Sequence, residues 1–288
     1  TLDCNGITIA GHNSELKVSR VLVENCRFEP GMPPPGAADH WASLAVSGPP
    51  GTCTRIVEDI IIRNNAILNG VDETLQLWGN CTGRITVYRN IIGEALHDAG
   101  HTKGTHGFCM LVGGSLYDIE VRENLFISCE GRNPVLGDGS TAHVLNNWTH
   151  NAGWGAIYIH GPCCIPGAHV IVGNLLTSGP DSPNSWKIGH TEGNVVVDGT
   201  TACINDNTVQ GRASWLRSAT GLTVTTNCTT DAYPSSEVER RLSRVVGPNN
   251  KSSNDWRLIH EAPTRQGARR DRPWPETIEV PMALSGLE

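Results

Sequence analysis

Five short stretches of the chain repeat one pattern, in which alternating β-forming residues are followed by an asparagine and a turn. The stretches are IIIRNNAIL (60–68), ITVYRNIIG (85–93), IEVRENLFI (119–127), AHVLNNWTH (142–150) and LTVTTNCTT (222–230), with looser copies at VLVENCRF (21–28), VIVGNLL (170–176) and ACINDNTVQ (202–210). The marker asparagines recur every 20 to 34 residues: Asn65, Asn90, Asn124, Asn147, Asn174, Asn207 and Asn227. This spacing is typical of solenoids, and one strand type per repeat indicates a parallel β-helix.

Asparagine suits such a stack because its side-chain amide can donate to the next coil and accept from the previous one, about 4.8 Å away. We therefore predict an all-β fold, a right-handed parallel β-helix (a single-stranded solenoid) of about eight coils. The β-helix is expected to span residues 1–230. Residues 231–288 are expected to form a C-terminal extension that is not an independent domain. Within the extension, SSEVERRLSRVV (235–246) predicts a short amphipathic helix.

The composition excludes some classes of function and indicates where the protein is located. A net charge of −7 argues against nucleic-acid binding, and no apolar run is long enough to span a membrane. Ten cysteines without a CxxC spacing indicate disulfides in an exported protein, either secreted or periplasmic, and we expect a monomer. Cys109 with Cys129, and Cys53 with Cys81, are plausible bridges because each pair lies about one coil apart.

Three segments lack strand alternation: 29–52, apart from an apolar strand at Leu44 to Val46, 94–107 and 128–141. Insertions in a solenoid collect on one face, often the binding face. The groups that could carry chemistry lie in GVDETLQLWG (70–79), EALHDAGHTKGTHG (94–107) and EGRNP (130–134). Neighbouring coils would bring these three segments together.

From about Asp72 to Asn151 the sequence resembles the pectate lyase family of right-handed β-helix polysaccharide lyases. The matching pieces are DETLQLWG, HTKGTH, FCMLVGG, IEVRENLF, GRNP and AHVLNNW. Members of that family have a strand asparagine, an arginine eight residues later followed by x-Pro, and a strand ending in paired asparagines. Asn124, Arg132, Pro134 and the pair Asn146 and Asn147 reproduce this order.

The resemblance implies a catalytic set of Arg132, Lys103 and His106. Arg132 falls on the arginine that removes the C5 proton of a uronic acid, so that the bond to the 4-oxygen breaks by β-elimination. Lys103 would stabilise the developing negative charge, and His106 would donate a proton or contact the substrate. Arg132 could instead be a surface arginine that pairs with Glu130 or Asp138.

The resemblance also implies substrate-binding and metal-binding residues. Asp72 and Glu73 match acidic positions that bind Ca²⁺ or the substrate, although Gln76 stands where many relatives carry a further calcium-binding aspartate and Gly137 replaces a second arginine. The remaining substrate-binding candidates are His101, Asn133 and Trp78. Three histidines in one loop, His97, His101 and His106, form an alternative transition-metal site.

The implied function is a secreted lyase that acts on an acidic, uronate-containing polysaccharide. Two alternatives stay open. A β-helical glycoside hydrolase would need paired carboxylates beside the scissile bond. A non-catalytic glycan-binding module, resembling a tailspike, would bind sugar without cleaving it.

Overall fold

The computed structural model describes residues 6–10, 17–48, 56–137, 139–153, 155–160, 165–182, 195–211 and 220–264, with the main chain alone at 195, 196 and 220. Cys53, and with it the predicted bridge to Cys81, lies outside the described residues. The same holds for Asp138 and for the extension beyond Thr264.

The described residues form three sheets in which all strand pairings are parallel. Sheet A contains β1 (Ile7–Ala10), β4 (Leu44–Ser47), β7 (Leu75–Trp78), β10 (Met110–Gly113), β13 (Val135–Gly137) and β16 (Tyr158–His160). Sheet B contains β2 (Val18–Glu24), β5 (Val57–Arg63), β8 (Thr82–Tyr88), β11 (Tyr117–Arg122), β14 (Thr141–Leu145), β17 (Ala168–Val172), β19 (Val195–Asn205) and β21 (Thr220–Thr225). Sheet C contains β3 (Arg27–Phe28), β6 (Ala66–Leu68), β9 (Ile91–Gly93), β12 (Leu125–Ile127), β15 (Trp148–His150), β18 (Leu175–Thr177) and β20 (Thr208–Gln210).

Through most of its length the chain visits sheets A, B and C in turn, so that each strand pairs with its counterpart in the next coil. This order is consistent with the predicted parallel β-helix, while its right-handedness stays a prediction. Each coil holds up to three strands rather than the single strand type expected from the repeats, because each repeat spans a sheet B strand, a turn and a sheet C strand. The segment 128–141, which lacks strand alternation, nevertheless contains the short, fully buried strand β13 (Val135–Gly137).

The asparagine ladder forms as predicted from Asn65 to Asn207. Each side-chain amide nitrogen donates to the side-chain oxygen of the next asparagine, at 2.8 to 3.1 Å. The same oxygen accepts the backbone N–H of the preceding marker. Asn227 is exposed and, among the described residues, has no place in this ladder.

The residue before each ladder asparagine adopts a left-handed backbone conformation, with φ between 46° and 71°. These residues are Asn64, Arg89, Glu123, Asn146, Gly173 and Asp206. Only glycine adopts this conformation without a steric cost, so the buried hydrogen bonds of the ladder hold the other turns in place.

One apolar core fills the space between the three sheets. Its members include Ile60, Ile85, Ile119, Val144 and Ile171, which face inward from successive sheet B strands and are almost fully buried. Two disulfides strengthen the described part of the chain. The predicted Cys109–Cys129 bridge is confirmed, and Cys203–Cys228 adds a second one.

The C-terminal extension packs against sheet C. A 3-10 turn at Ser235–Glu237 leads into helix α1 (Val238–Val245), as the sequence predicted, and helix α2 (Ser253–Thr264) follows without having been predicted. Apolar residues of both helices cover the outer side chains of sheet C: Leu68, Ile91, Leu125, Ile127, Trp148 and Leu175 pack with Val238, Leu242, Leu258 and Ile259. In the described part of the chain, no helix is long and apolar enough to cross a membrane.

Candidate functional site

Three loops that lead from sheet C to sheet A stack at one corner of the molecule. They are residues 69–74, 94–109 and 128–134, and they lie in successive coils because β7, β10 and β13 are adjacent in sheet A. A groove of about 810 Å³ opens above them and above sheet A. Its polar end is lined by His40, Asp72, Glu73, Lys103 and Arg132, and its floor by Trp78, Leu111, Gly113, Val135 and Gly137.

Arg132 is held by an ion pair with a buried carboxylate. Its Nη1 donates to Glu73 Oε1 and lies 3.7 Å from Asp72 Oδ1. The Glu73 side chain is 1% exposed and that of Arg132 is 19% exposed. These contacts do not support the alternative in which Arg132 pairs with Glu130. The Oε2 atom of Glu130 lies 2.8 Å from His97 Nδ1 instead.

A column of stacked rings joins Arg132 to the histidines of the second loop. The guanidinium carbon of Arg132 lies 4.2 Å from the ring centre of Phe108, and the rings of Phe108 and His106 meet edge to face with their centres 4.3 Å apart. His106 in turn stacks on His101, with centres 3.9 Å apart. Phe108 is 5% exposed, so this column positions the guanidinium from below the groove.

His106 lies behind Asp72, at 3.0 Å between Nε2 and Oδ1. Burial, followed by the neighbouring His101, lowers the pKa of His106, although the Asp72 carboxylate opposes that shift. A mostly neutral imidazole at this position can orient Asp72 without adding a full positive charge to the site.

Asp72, His101 and His106 bring one ligand atom each within 4.8 Å of one another, which makes them a possible metal-binding group. One contact opposes this use. His101 Nδ1 accepts the backbone N–H of Lys103 at 3.0 Å, so the neutral ring carries its proton on Nε2. Metal-binding histidines show the reverse arrangement, donating from the nitrogen that does not bind the metal. His101 Nε2 instead faces Asp39 at 3.6 Å and Asp72 at 3.9 Å.

The loop at residues 29–43 forms a further wall of the groove. Thr102 donates its backbone N–H to Asp39 Oδ1 at 2.8 Å, which ties this loop to the 94–109 loop. A small apolar cluster of Ala38, Trp41, Val71 and Leu96 lies beneath that contact. His40 reaches the groove from this wall, and nothing in the sequence pattern indicated it.

Lys103 supplies a second positive charge at the polar end. It is exposed and lines the groove. It makes no ion pair within the described ranges, whereas Arg132 has two carboxylates beside it. Lys103 is therefore the cation that an incoming anion can reach without displacing a partner.

Trp78 forms an exposed aromatic surface at the other end of the floor. It is 49% exposed, and its register partner in β10 is Gly113. A β-carbon on Gly113 would lie 2.4 Å from Trp78 Cε3, so only glycine lets the indole lie over this strand. An exposed indole face suits the C–H surface of a sugar ring.

The structure brings five of the eight predicted site residues to the groove: Asp72, Glu73, Trp78, Lys103 and Arg132. His101 and His106 lie behind it, and His106 acts on the groove through Asp72 and through the ring of Phe108. Asn133 is buried at 1% exposure and donates its side-chain amide to Gly155 O at 2.8 Å, which links two coils. Its position therefore supports a structural role rather than the predicted contact with substrate.

No model of a protein family matches the sequence, and no curated protein matches it. Among solved structures, the chain is similar to one described as the thermostable pectate lyase PL 47, with a TM-score of 0.43 and 11% sequence identity. The alignment covers 73% of this chain and 68% of the other. A likeness of this degree carries no argument about function.

Proposed function

We propose that the chain is a secreted polysaccharide lyase, built as a right-handed β-helix, that cleaves an acidic, uronate-containing polysaccharide by β-elimination. Residues 1–230 form the catalytic part and 231–288 a dependent extension. The observation that carries the proposal is the placement of Arg132, Lys103, Asp72 and Glu73, from three separate loops, at one end of a single groove. The motif resemblance around Arg132 adds support from the sequence.

The reaction needs a base, a partner for the uronate carboxylate and a proton for the leaving oxygen. The base removes the C5 proton, the C5–H electrons form a double bond to C4, the bond from C4 to the glycosidic oxygen breaks, and the leaving oxygen takes a proton from water in the open groove. Negative charge develops next to the carboxylate during this step and must be stabilised. Lys103 is suited to that task, because its ammonium group has no carboxylate partner in the described residues.

Arg132 is the proposed base. An arginine can accept a proton only when it is in its neutral form. An adjacent carboxylate favours the charged form of a guanidinium group. The pair between Arg132 and Glu73 therefore has to open when substrate binds. His106 acts as a positioning residue, because it holds Asp72 at 3.0 Å and does not line the groove.

The residues around Arg132 do not fit a resident calcium ion. Ca²⁺ takes about six to eight oxygen ligands. The groove offers the carboxylates of Asp72 and Glu73 and the amide of Gln76, and the Arg132 guanidinium already contacts both carboxylates. Calcium dependence stays a prediction to be tested with a chelator, and no step above depends on it.

The floor of the groove spans four adjacent strands, from β7 to β16. Coils stack about 4.8 Å apart, so this floor accommodates roughly three sugar rings. We infer that one uronate lies between Lys103 and Arg132 while a neighbouring ring stacks on Trp78.

The first experiment incubates the protein with a panel of uronate polymers, with and without chelator. A lyase produces ultraviolet absorbance from the unsaturated sugar end. New reducing ends without that absorbance would identify a hydrolase instead, and retention on a glycan column without cleavage would identify a binding module.

The second experiment tests Arg132 without leaving a buried charge unpaired. The double variant Arg132→Gln with Glu73→Gln replaces the ion pair by two neutral amides, so the fold is expected to survive. We expect turnover to fall by at least about a thousandfold, in line with the loss of a catalytic base together with its electrostatic contribution. The matched control, Arg63→Gln with Glu24→Gln, removes an exposed ion pair on sheet B and should keep full activity. Full activity of the first variant would remove Arg132 from the mechanism.

A further inference from the structure

A second polar pocket, of about 330 Å³, lies at the corner between sheets B and C. It is formed by two turns of the solenoid, at Arg89 and Glu123, and by helix α1. The α1 side contributes Arg240, Arg241 and Arg244. This corner is distinct from the corner between sheets C and A that holds Arg132.

Positive charge is in excess in this pocket. Arg89 Nε lies 2.9 Å from Glu123, and Glu237 pairs with both Arg240 and Arg241, at 3.1 and 2.7 Å. Four guanidinium groups thus line the pocket with one carboxylate, Glu123, and a second carboxylate, Glu237, pairs with two of them from outside the lining. Arg244 makes no ion pair in the described part of the chain. Such an excess stands out in a protein whose net charge is −7.

Aromatic rings hold two of the guanidinium groups in place. Arg89 lies over the ring of Tyr88 at 4.6 Å, and Arg241 lies over the ring of Tyr233 at 4.2 Å. Planar guanidinium groups fixed in this way lose little freedom when they bind an anion.

The hydroxyl of Tyr233, whose ring lies under Arg241 beside the pocket, is an unused donor. It is buried and has no hydrogen-bond partner among the described residues. Burial, and then the Glu123 carboxylate, raises the pKa of Tyr233, so this hydroxyl keeps its proton. A buried hydroxyl without a partner is costly unless something accepts its hydrogen bond.

We propose that this pocket binds an oxyanion group, either the carboxylate or sulfate of an acidic sugar or an inorganic phosphate or sulfate ion. Arg240 and Arg244 supply the charge and Arg241 lies beside them, since guanidinium groups bind such anions through paired N–H donors. The pocket is large enough for one sugar acid. It would hold an acidic polymer at a point remote from the groove, and it does not depend on the proposed lyase activity.

The test is calorimetric titration of the folded protein with inorganic phosphate, inorganic sulfate and a galacturonate trimer. The variant is Arg240→Gln with Arg244→Gln, because neither side chain packs on an aromatic ring of the residues that the structure describes. The control, Arg20→Gln with Arg63→Gln, removes the same charge from sheet B. We expect saturable binding of phosphate or sulfate that weakens at least about tenfold in the variant and not in the control.

The trimer distinguishes the two sources of the anion. Trimer binding that is tighter than phosphate binding, and that is lost with Arg240 and Arg244, assigns the pocket to a polymer. If the variant loses binding of the inorganic anions but not of the trimer, the pocket is assigned to a free ion. Equal affinities in the variant and the unchanged protein, or no binding of any of the three, would overturn the proposal.

Discussion

Glu73 neutralises Arg132 from a position with 1% side-chain exposure, so its charge matters to stability as well as to the site. Glu73→Gln leaves the guanidinium without its closest anion. Breaking a buried ion pair by removing one partner costs about 3 to 5 kcal/mol. Because Arg132 is 19% exposed and keeps Asp72 at 3.7 Å, we expect about 2 kcal/mol, measured as a loss in the free energy of unfolding in denaturant.

The control for that measurement is Glu24→Gln. Glu24 pairs with Arg63 at 2.7 Å, but both side chains are more than a third exposed. An exposed pair of this kind contributes less than about 1 kcal/mol. Equal losses in the two variants would show that burial does not strengthen the Glu73 pair.

Gly113 permits the exposed position of Trp78, and this gives a second prediction. In Gly113→Ala the new methyl group would lie 2.4 Å from Trp78 Cε3, so the indole has to swing away from the floor. We expect the variant to bind sugar as poorly as Trp78→Ala, with an affinity loss of about 1 to 2 kcal/mol for a lost stacking surface. Titration with an oligouronate measures it.

Gly139→Ala is the matched control, because a β-carbon there would make only ordinary contacts, the nearest at 3.4 Å. Unchanged sugar affinity in Gly113→Ala, with a folded protein, would mean that the indole of Trp78 does not contact the ligand.

At this scale the sequence indicated the residues that stand in loops with a recognisable motif, such as Arg132 and Lys103. It did not indicate Phe108 or His40. Phe108 stands in FCMLVGG, where an aromatic residue is expected to fill the core, and its contact with Arg132 depends on how two coils align. His40 reaches the groove only because Asp39 ties its loop to Thr102, a partner 63 residues away.

At the scale of elements, the ladder is the feature that should be most sensitive to substitution. Asn124 is fully buried, accepts from Asn90 and donates to Asn147 and to Val87 O. Asn124→Ala leaves at least two buried donors or acceptors without partners, each costing about 1 to 3 kcal/mol. We expect a loss of about 4 kcal/mol in the free energy of unfolding. Asn227→Ala, at the exposed position outside the ladder, should cost less than about 0.5 kcal/mol, and a similar loss at both positions would contradict a structural ladder.

The repeats predicted the strands of sheets B and C because asparagine and alternating β-formers mark both sides of each turn. Sheet A was less visible. Its strands have three or four residues, and β13 is buried along its whole length, so alternation cannot identify it. The sequence did not predict helix α2, because Pro263 lies in its last turn and its sequence is largely polar. It is held in place by a 2.6 Å ion pair between Arg257 and Glu94, far apart in sequence.

At the scale of the whole molecule, one feature of the core connects global stability to pH. His169 faces inward from β17, between Ala142 of β14 and Ala202 of β19 in the sheet register. It is 2% exposed, and neither ring nitrogen has a hydrogen-bond partner among the described residues. Burial lowers the pKa of His169 from 6.5 to about 4. The two small neighbours provide the room for the imidazole but no acceptor for a proton.

This depressed pKa predicts how the molecule responds to acid. Well above pH 6.5 the imidazole is neutral in both states, and as the pH falls through 6.5 towards about 4 the unfolded chain binds a proton that the folded chain does not. The stability present at neutral pH is therefore lost over that window, by about 3 kcal/mol from this residue. His169→Leu should remove that part of the pH dependence and leave stability at neutral pH equal or higher, since it replaces two unpaired nitrogens by an apolar group. Unfolding free energies measured at pH 7 and pH 4.5 give the comparison. His143→Gln, at an exposed position on the adjacent strand, should keep the original pH dependence. An acid sensitivity unchanged by His169→Leu would show that this imidazole is hydrated or paired in the folded protein.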